Sequence, residues 1–114
     1  LGRFDILTNS GTSEHVSDQY ACFANIHALV STGGIMAHLV PKSKNWPKHS
    51  SVYYTVKFFV LLARRAHYRL VSYDDIATRG PQSHLVCISL RKTTEVFLDR
   101  AVFDEVAAVG LKSS

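Results

Sequence analysis

A mixed α/β fold, forming half of a doubly wound sheet, follows from three features of the 114-residue sequence. Short apolar runs of strand character alternate with amphipathic stretches of helical period. The order strand, helix, strand, helix, strand, strand ends on two strands joined by a turn, which gives an antiparallel hairpin. No glycine loop of the G-x-G-x-x-G type occurs anywhere in the chain, although such a loop opens the first half of a nucleotide-binding sheet. The expected sheet has about four strands and flanking helices, with right-handed crossovers setting the first strands in parallel.

The first strand is Phe4–Thr8, a continuous run suited to a parallel strand covered on both faces. Asn9, Ser10, Gly11 and Thr12 break it and form the loop at its carboxyl end. Ser17 is expected to cap the first helix, with Asp18 in the first turn, where the helix dipole favours a negative charge. Cys22, Phe23, Ile26, Leu29 and Val30 make its apolar stripe, Gly33 ends it in a left-handed conformation, and Gly34 allows a tight entry to the next strand. That strand is Ile35–Val40, closed by Pro41. After a polar loop from Lys42 to Ser51, residues Thr55–Ala66 form a second helix with Phe58, Phe59, Leu62, Ala63 and Ala66 on one face. Arg64, Arg65 and His67 lie near its C-terminus, where cations are favoured. Tyr68–Tyr73 is a strand, Arg79-Gly80-Pro81 a turn, and Leu85–Leu90 an apolar strand expected to be central. Leu98, Val102, Val106 and Val109 share one face of a terminal helix ended by Gly110.

Composition sets the bounds. The chain has room for one core, and its 46% apolar content excludes intrinsic disorder. No apolar run approaches the roughly 20 residues of a membrane span, and no charged-then-apolar leader opens the chain. Cys22 and Cys87 each lie inside an apolar pattern and read as buried free thiols in a reducing, cytoplasmic setting, with a disulfide as the alternative. The net charge of +4 is modest. Lys42, Lys44, Lys48 and His49 surround Trp46, an arrangement able to contact a nucleic-acid backbone and stack on a base. The charges are few and follow no period, so a solvated loop is favoured and nucleic acid is not the expected partner.

FDILTN followed by EHV resembles the fourth strand and following loop of the class I S-adenosylmethionine-dependent methyltransferases. CFANIHALVSTGGIMAHLVP resembles the next helix, Gly-Gly turn and fifth strand of that family; KFFVLLARRAHYRLV resembles the following helix and sixth strand, and HLVCISLR the inserted seventh. The resemblance spans about residues 1–91, leaving 92–114 as an extra C-terminal helix in a single truncated domain. It implies a Rossmann-like methyltransferase sheet entered on the substrate side, with the cofactor's glycine loop and ribose-binding acid missing. Leu1 is not an ordinary translation start, so the missing half would lie upstream.

By that resemblance Asn9, Ser10 and Gly11 stand near the reacting methyl group, and S-adenosylmethionine is the cofactor only if the fold is complemented. No cofactor is expected on the isolated chain. Glu14 and His15 follow in the same loop and are the candidates for chemistry. Methyl transfer needs alignment of donor and acceptor, plus a base when the acceptor carries a proton, and a histidine titrating near neutrality can serve. The structural alternative is a pre-helix loop whose polar groups cap the helix or face water. Trp46, Tyr53 and Tyr54 would cover the acceptor, or pack as ordinary aromatics. His27 and His38 read as hydrogen-bonded core histidines, and no metal-ligand spacing occurs.

Without the first half, Phe4–Thr8 becomes an edge strand with unpaired N–H and C=O groups, guarded only by Asp5. The expected partner is a second copy, joined through Phe4–Thr8 or through the C-terminal helix, which otherwise folds back over the exposed sheet face. Three functions follow in order of preference. The first is a self-associating binding or scaffold module without autonomous methyl transfer. The second is the substrate side of a methyltransferase completed by another segment or chain, and the third a small basic protein that binds nucleic acid or an acidic partner.

Overall fold

The computed structural model describes residues 3–42, 52–77 and 84–113. Strand β1 is Phe4–Ser10, helix α1 Gln19–Leu29, and β2 Val30–Pro41. They are followed by β3 Val52–Tyr53, α2 Val56–Ala66, β4 Arg69–Ala77, β5 His84–Arg91, α3 Arg100–Gly110 and β6 Lys112–Ser113. The main sheet has the order β1-β2-β5-β4. β2 runs parallel to β1, and β5 lies antiparallel between β2 and β4. The expected four-stranded mixed α/β sheet with an inserted last strand is thus the one formed, and β5 is central. Trp46 and the Arg79-Gly80-Pro81 turn lie outside the described residues.

The sheet has one covered face. Met36, His38 and Val40 on β2 share it with Val86, Ile88 and Leu90 on β5, all buried. Phe23 of α1, Phe58 and Phe59 of α2 and Phe103 of α3 close over it, with ring centroids 5.1 to 6.3 Å apart. The opposite face carries Ile6, Ile35, Ala37 and Leu39 by register, and none of these is buried. β1 is an edge strand whose one described neighbour is β2, with Phe4 56% and Ile6 66% exposed.

Several boundaries differ from the sequence reading. β1 runs on to Ser10, because Asn9 and Ser10 pair with His38 and Leu39 on a β2 that reaches Pro41. Asp18, rather than Ser17, caps α1: its carboxylate accepts from the Ala21 N–H at 3.0 Å. Helix α1 ends at Leu29, with Val30 already extended. Gly33 (φ 91°) sits instead within β2, where the register against β1 shifts between Phe4 and Ile6. Gly34 is required there, since a Cβ would stand 2.7 Å from Val30 Cγ1 and 2.8 Å from the Asp5 carbonyl oxygen.

The carbonyls left open at the end of α1 are taken by a lysine. Lys92 is fully buried and donates to the carbonyls of His27 (2.8 Å) and Val30 (2.7 Å), a cation at the negative end of the helix dipole. α3 buries Phe103, Val106 and Gly110, whereas Val109 is 47% exposed. Its stripe therefore lies one position round from the expected one. The reason is a close crossing in which a Cβ on Gly110 would fall 2.5 Å from Phe58 Cα. α3 packs in the helical layer against α2 and does not fold back over the open sheet face.

Candidate functional site

The carboxyl end of β1 leads into a short 3-10 turn, Ser13–His15, and a buried polar network forms there. The Asn9 amide nitrogen donates to Ser13 Oγ (2.8 Å) and lies 3.0 Å from His38 Nδ1, while Asn9 Oδ1 accepts from the Ser13 N–H (3.2 Å). Tyr54 Oη lies 2.8 Å from Ser13 Oγ and 2.6 Å from Gln19 Oε1. Gln19 Nε2 donates to the carbonyls of Ser13 (2.7 Å) and Val16 (2.6 Å).

The directions follow from the donor inventory. The Tyr54 phenol has one proton, and Gln19 Oε1 can only accept, so the proton goes to Gln19. Ser13 Oγ then donates to Tyr54 and accepts from Asn9. Asn9, Ser13, Gln19, His38 and Tyr54 are all buried, so the chain of bonds pins the turn to β1, β2, α1 and the start of α2. Burial pushes the Tyr54 phenol well above its usual range and holds the His38 imidazole down at about 4.

The turn buries the Glu14 side chain and leaves that of His15 partly in solvent, with Glu14 Oε2 3.7 Å from His15 Nε2. Gly11 turns the chain with φ 66°, its N–H donating to the Leu39 carbonyl (3.1 Å); Ser10 and Gly11 are exposed. Of the sequence candidates, the structure brings Asn9, Ser10, Gly11, Glu14 and His15 to one end of the sheet. Tyr54 joins them from below and is fully buried; Tyr53 is buried in the β3–β6 ribbon.

Sequence reasoning missed Ser13 and Gln19 as members of this network. His38 carried a legible signal, since it shares its strand parity with buried Met36 and Val40 and so needs an internal partner. His27 is likewise a partnered core histidine, 2.6 Å from Tyr68 Oη and 3.0 Å from the Glu95 carbonyl, and burial lowers its pKa. Cys22 and Cys87 are half-buried free thiols. Among the described residues no group of His, Cys, Asp and Glu could hold a metal, and no helix is long and apolar enough to cross a membrane.

No family model matches the chain, and no curated protein does. Among solved structures it is similar to the 1,6-didemethyltoxoflavin-N1-methyltransferase of Burkholderia thailandensis, solved with 1,6-didemethyltoxoflavin and S-adenosylhomocysteine bound. The TM-score is 0.64 and the identity 25%, over 82% of this chain and 45% of that one. The fold is methyltransferase-like. This methyltransferase-like chain spans less than half the length of that neighbour. Its polar network stands at the carboxyl end of a parallel strand, where open α/β sheets bind ligands.

Proposed function

We propose that this chain is a methyltransferase-like half-domain that carries the acceptor side of a methyl-transfer site and does not transfer methyl groups alone. The observation that supports this reading is the β1 edge. A strand of continuous apolar character stands unpaired on its outer side among the described residues, while the similar methyltransferase is more than twice as long as the part matched. Strand pairing at β1 is the cheapest way to satisfy those N–H and C=O groups, and a second copy across a two-fold axis supplies such a strand.

In this reading the exposed Ser10 and Gly11 face the methyl donor once the sheet is extended, and Asn9, buried beneath them, holds their turn in place. His15 takes the proton of a nitrogen or oxygen acceptor, with Glu14 behind it. The residues fit an S-adenosylmethionine site in part: the strand end and the Gly11 turn are present, whereas a glycine loop for the cofactor is not among the 114 residues.

A second reading has the sheet completed by another segment or a separate chain, giving a working methyltransferase. It is favoured by the ordered network under Glu14 and His15, which a pure scaffold does not need.

Sedimentation velocity tests the edge. The wild-type chain sediments as a dimer at micromolar concentration, and Ile6→Lys, at a 66% exposed position, returns it to a folded monomer with a lower unfolding midpoint, because the dimer no longer supports the native state. A wild-type monomer under those conditions would overturn self-pairing and leave the second reading.

A further inference from the structure

Arg69 on β4 and Arg91 on β5 stand directly opposite one another in the antiparallel register. Like charges at opposed positions repel, so a sheet carries such a pair at a cost in stability. Arg69 is exposed and has no ion-pair or hydrogen-bond partner among the described residues. Arg91 donates one N–H to the Gly33 carbonyl (2.5 Å), which leaves four N–H groups.

The neighbouring pair on the same face is Ser72 and Ser89, also directly opposed. Strict alternation along β4 would put Arg69 and Ser72 on opposite faces. The register shift between Leu70 and Ser72 makes Val71 the extra residue and returns Ser72 to the face of Arg69. The bulge thereby sets the Arg69–Arg91 and Ser72–Ser89 pairs next to one another on one face as a four-residue block, and a cleft of about 350 Å³ at its arginine end is lined by Arg69, Leu70, Val71 and Arg91. No carboxylate belongs to the block. On the far side of the serines, Asp74 accepts from the Asp75 N–H at 2.8 Å and Asp75 pairs with Lys42.

We infer that this block is an anion site for a phosphate group, free or on a small phosphate monoester. Paired arginines match the oxygens of a tetrahedral dianion through parallel N–H donors, and the serine hydroxyls supply further donors to the same oxygens. A dianion between the arginines also removes their mutual repulsion. The face is not covered by any described helix, and the block lies on β5 and β4, two and three strands from β1, or roughly 10 to 14 Å across the sheet from that edge. The inference therefore stands apart from the methyl-transfer reading.

The test is thermal unfolding of the full chain with inorganic phosphate, with glycerol phosphate, and with chloride at matched ionic strength, for the wild type, Arg69→Gln and Ser72→Ala. Phosphate is expected to raise the wild-type midpoint in a saturable way that chloride does not reproduce. Arg69→Gln weakens that binding about ten-fold, and Ser72→Ala several-fold. Without phosphate, Arg69→Gln is at least as stable as the wild type, because it relieves the repulsion. Stabilisation by glycerol phosphate as well as phosphate assigns the site to monoesters; stabilisation by phosphate alone assigns it to the free ion. Equal effects of phosphate and chloride, an undiminished phosphate effect in Arg69→Gln, or a destabilised Arg69→Gln would each overturn the inference.

Discussion

Asn9 and His38 are opposite residues in the β1–β2 ladder, and the 3.0 Å bond between their side chains fixes the state of the histidine. Asn9 Oδ1 is held by the Ser13 N–H, so its amide nitrogen faces His38 Nδ1 and can only donate. Nδ1 therefore accepts, the ring proton sits on Nε2, and the imidazole is neutral.

A pH dependence follows. His38 is held at about 4 by burial, below its ordinary 6.5. A depressed histidine contributes stability that is whole above about 6.5 and is lost as pH falls from there through about 4. Between pH 7 and pH 4 the wild type should lose about 3 kcal/mol more than His38→Gln, whose side chain can still accept from Asn9. Urea unfolding of both proteins at the two pH values measures the difference, and equal losses would refute the neutral, buried histidine.

Tyr54→Phe keeps the ring against Phe23, Phe58 and Phe59 and removes one hydroxyl. Gln19 Oε1 and the Ser13 hydroxyl then lose their shared partner inside the protein. The expected cost is about 1–3 kcal/mol in unfolding free energy. Amide exchange should also quicken at Ser13, Glu14 and His15, because the bond that anchors their turn is gone; exchange unchanged there would show that the turn is held without Tyr54.

Gly110→Ala places a Cβ 2.5 Å from Phe58 Cα, a backbone atom that cannot step aside. α3 must lift from α2, and the chain should lose about 1–3 kcal/mol. The denaturation midpoint reports it, and a neutral outcome would mean that the two helices cross less closely than described.

The four strands of the main sheet and the three helices were legible as apolar runs bounded by turn residues. The place of β5 followed from its likeness to an inserted methyltransferase strand, and the two-residue strands β3 and β6 were not foreseen. The α1 boundary was misread at Gly33. A glycine after an apolar stripe has the same sequence signature whether it ends a helix or forms a bulge, and only the pairing of Phe4 with Val30 separates the two. The α3 face was misread because Gly110 contributes to the interface by lacking a side chain, which no hydrophobicity pattern records. At the candidate site Glu14 and His15 were visible as residue types. Their unequal burial was not, because it depends on Ser13 being tied to Asn9, Gln19 and Tyr54 from distant parts of the chain. The Arg69–Ser72 alignment was hidden for the same reason as the Gly33 bulge: one extra residue changes which side chains share a face.

The most direct measurement is calorimetric titration of the 114-residue chain with S-adenosylhomocysteine. In the proposed half-domain reading no saturable heat appears up to millimolar ligand, because the methyl donor's pocket then needs a further cofactor-binding segment beside β1. Saturable binding at micromolar concentration by this chain alone would contradict it, and would mean that the residues from Asn9 to His15 and their neighbours already form a complete cofactor site.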